Sequence, residues 1–166
     1  MEPAVAVYRE FAPDAVLKPY VRAVFSFVPG ADGERLSRQQ TGETLRFRPD
    51  AVCPPILADG HACLSFALGE VCHADGVWRV DSAGCGGRIV GVVTRTESSG
   101  IERPSMVGAY FHAAGLSAFT GVPVHELTNG TAAVEDIWGP GAAAMAAQLA
   151  AVSEAERIDA LETQLL

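Results

Sequence analysis

V-G-A-Y-F-H-A-A-G-L-S-A-F-T-G-V-P-V-H-E-L-T-N-G, residues 107–130, is where the chain changes character. Upstream, apolar residues alternate with polar ones and turns come often. Downstream, E-D-I-W-G leads into an Ala-rich stretch and then S-E-A-E-R-I-D-A-L-E-T-Q-L-L. Period-two patterning gives way to helical patterning at this point. Strands first and helices last argue an α+β architecture.

Working back from residue 107, the last strand is expected over 105–112. Residues 20–28 alternate, with Val21, Ala23, Phe25 and Phe27 against Arg22, Val24 and Ser26. Residues 61–68 alternate more cleanly, with Ala62, Leu64, Phe66 and Leu68 against His61, Cys63, Ser65 and Ala67. Shorter strands are expected at 45–48, 70–73, 77–80 and 88–94. The Asp75-Gly76 step is a strong hairpin signal between two of them. Six or seven short strands with turns at this spacing suggest an antiparallel barrel or sandwich. Residues 13–20 read as a short helical or turn entry before a strand.

Working forward, a helix is expected over 141–152, behind Pro140, with Met145, Leu149 and Val152 on one stripe. Ser153 and Glu156 have the spacing of a capping box, so a second helix begins there. Its stripe is Ile158, Leu161 and Leu165, opposite Glu154, Asp159 and Glu162. One stripe can cover the barrel. The other would leave an apolar patch, which predicts a homodimer through Met145, Leu149, Ile158, Leu161 and Leu165.

The chain has 166 residues, enough for one domain with a sizeable core. Its 20 acidic residues outnumber 12 basic ones, for a net charge of −8. That balance repels phosphate backbones, so the chain alone is a poor nucleic-acid binder. The densest cationic stretch is Arg46 and Arg48. No signal peptide and no apolar run of about 20 residues is visible. Cys53, Cys63, Cys72 and Cys85 form no C-x-x-C pair, and a reduced cytoplasmic setting is the expectation.

Several short motifs occur in a recognisable order. They are Pro13, Leu17 and Tyr20-Val21; Ile56-Leu57-Ala58-Asp59-Gly60 before the strand at 61–68; Phe111 and Gly115; Gly121-Val122-Pro123-Val124-His125-Glu126-Leu127-Thr128; Asp136-Ile137-Trp138-Gly139; and Arg157 with Leu161. Together this set resembles the N-terminal sensor domain of AraC-type transcription regulators. The resemblance departs from the usual pattern at Ala58, where proline is usual, and at Ala113-Ala114, where a Pro-Gly is usual. It implies a cupin-like β-barrel over 1–112 that binds a small-molecule effector, and a helical dimerisation and linker region over 113–166. It also implies that DNA is reached only through a helix-turn-helix domain, which this chain lacks.

His61, His73, His112 and His125 are isolated, without an H-x-H pair, so no metal and no cofactor are expected. No G-x-S-x-G motif occurs, and Gly84-Cys85-Gly86-Gly87 lacks the Lys-Ser/Thr of a phosphate loop. The chain therefore reads as a non-enzymatic sensor. The alternatives are a small cupin-type enzyme or metal-binding protein, and a free-standing protein-interaction module. Effector contacts are expected from His61, Cys63, Ser65, Phe66, Trp78 and Tyr110. Trp138 is expected to act as a hinge between barrel and helices.

Overall fold

The computed structural model describes residues 6–28, 45–47, 59–69, 85–95 and 105–166. The chain opens with β1 (Ala6–Phe11), β2 (Val21–Val28), β3 (Leu45–Phe47), β4 (Ala62–Leu68), β5 (Cys85–Val90) and β6 (Ser105–Phe111). A helical turn, α1 (Ser117–Thr120), and a 3-10 turn (Val124–Leu127) follow. Then come β7 (Thr131–Ala133), α2 (Val134–Trp138), α3 (Gly141–Ala151) and α4 (Glu154–Leu165).

The strands form one sheet in the order β3-β1-β2-β6-β4-β5-β7, and every neighbouring pair is antiparallel. The α+β expectation therefore holds, but the barrel is corrected. Among the described residues the sheet is open, because the edge strands β3 and β7 pair only with β1 and β5. One face of the sheet is covered by α3 and α4. The hairpin expected at 70–73 and 77–80 lies outside the described residues.

Alternation along the strands sorts side chains onto two faces. Phe11, Val24, Leu64, Phe66, Ile89, Val107, Ala109 and Phe111 share a core with residues of α3 and α4. Tyr8, Phe25, Phe27, Ala67 and Met106 form a second cluster on the other face, joined by Cys63 and Tyr110. The expected alternation in β2 is broken by a register shift between Val21 and Ala23. The shift puts Val21 in the helix-side core beside Val24, while Phe25 and Phe27 keep to the other cluster.

The helices pack on the sheet, and three polar ties hold α4 to β1, to the turn before β2 and to the end of α3. Arg9 of β1 forms an ion pair with Glu154 of α4 at 2.9 Å, both largely buried. Glu162 of α4 is buried and accepts the backbone N–H of Asp14 at 2.7 Å, which fixes the turn before β2. Arg157 Nε donates to the carbonyl of Leu149, satisfying an acceptor near the end of α3. The expected capping box is present. Ser153 donates its N–H and its hydroxyl to the Glu156 carboxylate, at 3.1 and 2.7 Å. Those two bonds hold the Glu156 carboxyl below its ordinary range.

The dimer expectation loses its premise here. Met145, Leu149, Ile158, Leu161 and Leu165 all lie in the helix-side core of their own chain, with exposures of 0–7%. Both helical stripes cover the same sheet, so neither is left for a partner. A homodimer of this chain would have to use another surface. Leu161→Ala is accordingly expected to destabilise the isolated chain by about 2–5 kcal/mol, and Leu161→Asp to prevent folding. Denaturant melts at several protein concentrations check this. Side chains reserved for a dimer interface would leave the monomer's stability unchanged.

Candidate functional site

The face turned away from the helices carries buried polar groups among aromatic rings. β1 supplies Tyr8 and Glu10, β2 supplies Phe25, and β6 supplies Tyr110. Phe25 lies between the two tyrosines, with ring centroids 5.7 Å from Tyr8 and 4.9 Å from Tyr110, tilted by about 30° in each case. Tyr8 donates its hydroxyl to Glu10 Oε1 at 2.7 Å. The same oxygen accepts from Arg22 at 3.2 Å. The Arg22 guanidinium also sits 5.3 Å from the Tyr110 ring centroid, within cation–π range.

β4 and β5 extend this face. Cys63 is opposite Tyr110, and Ser65 is opposite both Gly108 and Arg88. Ser65 and Arg88 are buried, while Cys63 and Tyr110 are half-buried. An added Cβ at Gly108 would lie 2.4 Å from the Leu64 carbonyl oxygen and 2.5 Å from the Phe25 ring. The ring occupies the space over β6 that any larger residue would need.

Burial first, and then the neighbouring Tyr110 and Glu10, push the Tyr8 phenol far above its ordinary range. Tyr110 is also raised, first by burial and then by Cys63. Both phenols remain protonated, so they can donate hydrogen bonds but cannot act as bases. The combination of stacked rings, fixed hydroxyls, a thiol and a paired arginine suits recognition of a small polar–aromatic molecule.

The expected contact residues divide. Cys63, Ser65 and Tyr110 come together on this face. His61 lies one step further along it, half-buried, with its ring 6.5 Å from that of His112. Phe66 does not join them. It points to the opposite face and is fully buried in the helix-side core. Trp78 lies outside the described residues. Trp138 donates its indole N–H to the Phe119 carbonyl at 2.7 Å, which ties α2 to α1. Sequence reasoning missed Tyr8, Glu10, Phe25, Arg22 and Arg88 as members of this face. The Y-x-E spacing of β1 was the available signal for the first two.

A separate cleft of about 330 Å³ lies between the helices, lined by Phe119, Trp138, Ala142, Met145, Gln164 and Leu165. It carries no titratable side chain and lies on the helix side of the sheet. Among the described residues no group of three or more His, Cys, Asp or Glu side chains is placed to hold a metal ion. Among the described residues no helix is long and apolar enough to cross a membrane.

The chain matches a domain family of unknown function, DUF6597, over residues 9–133, and belongs to that family. The match runs from β1 through β7 and so takes in both faces of the sheet. No curated protein and no solved structure matches the chain.

The two raised phenols set an alkaline limit on stability. Below about pH 10, the ordinary tyrosine value, folded and unfolded chains are both protonated and stability is complete. Above it the unfolded chain loses phenolic protons that the folded chain keeps. Stability then falls by about 1.4 kcal/mol per pH unit for each tyrosine. With Tyr20→Phe removing the third phenol, tyrosinate absorbance should rise only as sheet circular dichroism is lost. Two phenols ionising near pH 10 in a folded chain would contradict this packing.

Proposed function

For this member of the DUF6597 family we propose a ligand-sensing role. The chain would be the effector-binding module of an AraC-type transcription regulator. The order of its short motifs supports that assignment. The single observation that carries the sensing role is the helix-free face, where Tyr8, Phe25 and Tyr110 stack among Glu10, Arg22, Cys63 and Ser65. Burying polar groups costs stability that their mutual pairing only offsets, and a face meant only for stability would be apolar like the helix-side core. The effector would be held among these buried groups on the face of the sheet away from α3 and α4.

β1 gives such a module an output. Tyr8 and Glu10 face the proposed ligand, while the intervening Arg9 faces α4 and holds Glu154. A ligand that shifts β1 would act on α4 through one residue of sequence. The coupling needs only differential binding to two arrangements of that strand. DNA contact would fall to a separate helix-turn-helix domain, and the compartment would be the cytoplasm.

A thermal-shift screen of the purified chain with small polar aromatic compounds tests this reading. A compound present at 100 times its Kd should stabilise the fold by about 2.7 kcal/mol, raising Tm by roughly 5–10 °C. Ser65→Val and Tyr110→Leu should each abolish most of that rise. Hydrogen exchange should show α4 slowed by the same compound, and Arg9→Ala should remove the α4 effect while β4 stays protected. A screen without stabilising compounds, or a shift indifferent to both substitutions, would refute the assignment.

A further inference from the structure

We infer that His61 and His112 form a two-imidazole binding site for a divalent transition-metal ion of the zinc, nickel and copper class. The two residues are far apart in sequence and carry no shared motif. The β4–β6 register brings them together. Ala62 pairs with Phe111, and the next step outward sets His61 directly across from His112. Their ring centroids are 6.5 Å apart. Two imidazoles on one tetrahedral ion have centroids about 5 Å apart, given metal–nitrogen bonds of about 2 Å. The exposed His112 ring therefore closes the site by swinging in a little over about 1 Å.

A second observation concerns the His61 tautomer. His61 Nδ1 lies 2.9 Å from the Asp59 backbone carbonyl oxygen. A carbonyl can only accept, so Nδ1 carries the proton and Nε2 presents a lone pair. Orientation of a ligating histidine by a carbonyl behind its other nitrogen is the usual support around a metal. Asp59 also receives the His61 backbone N–H at 3.0 Å, which steadies the residue at the strand's start. Water would fill the remaining coordination positions. Imidazole pairs of this kind suit zinc, nickel and copper better than magnesium or calcium, which prefer oxygen.

The test uses Ni²⁺ on the whole chain by titration calorimetry, with the wild type and His61→Gln, His112→Gln and the double variant. Wild type should bind one equivalent, and each single variant should bind at least about tenfold more weakly. The ion should raise the wild-type Tm and leave that of the double variant unchanged, because it bridges two strands of the folded state only. Addition of Cu²⁺ should broaden amide resonances centred on residues 61 and 112, a readout that needs no variant. One-equivalent binding that survives in the double variant overturns the inference. So does broadening centred elsewhere, or the absence of binding.

Discussion

Strand β6 is the constraint on which the structure depends. It sits at the centre of the sheet, hydrogen-bonded to β2 on one side and β4 on the other. Val107, Ala109 and Phe111 point to the helices, and Met106, Gly108 and Tyr110 point away. Slipping the register by one residue would bring Tyr110 into the apolar core and expel Phe111. Gly108 fixes the depth of packing on the far face, because the Phe25 ring lies where a side chain would start. The strand thus sets both the core that stabilises the domain and the surface proposed to sense a ligand.

The two faces are physically unlike, and the difference is informative. On the helix side, large apolar side chains interlock, each buried aliphatic or aromatic residue stabilising by about 1.5–3 kcal/mol. On the other side, phenols, a thiol, a hydroxyl and two arginines occupy positions where apolar residues would stabilise more. The tyrosines find partners in Glu10 and in each other, so their cost is reduced but not reversed. A fold that needed only stability would not place them there.

Much of this was legible in the chain. β2, β4 and β6 announce themselves by alternation, and α4 by Ser153 and Glu156. The close approach at Gly115 also explains a motif position, since an added Cβ would meet the Tyr20 carbonyl oxygen at 2.1 Å. β1 escaped because A-V-Y-R-E-F carries charge on both faces, Arg9 toward α4 and Glu10 toward Arg22. Each charge is excused by a partner remote in sequence, and periodicity cannot see that. β7 escaped because Thr-Ala-Ala is short and has little strand preference. Counting strands suggested closure, but closure depends on edge pairing, which no residue pattern encodes. The terminal helices carry plain apolar stripes, yet a stripe does not say whether its cover is the same chain or another.

The irregularity in β2 shows how a local departure from pattern can serve chemistry. With strict alternation, Arg22 would share a face with Val24 and point its guanidinium into the helix-side core. Burying that cation unpaired would be severely destabilising. The register shift between Val21 and Ala23 inserts one extra residue and reverses the sense of alternation there. Val21 then joins Val24 in the core, and Arg22 reaches Glu10 and the Tyr110 ring on the opposite face. A bulge at this position is therefore required by the coexistence of Val21, Arg22 and Val24 in one strand. Its effect is to place a cation beside the aromatic stack.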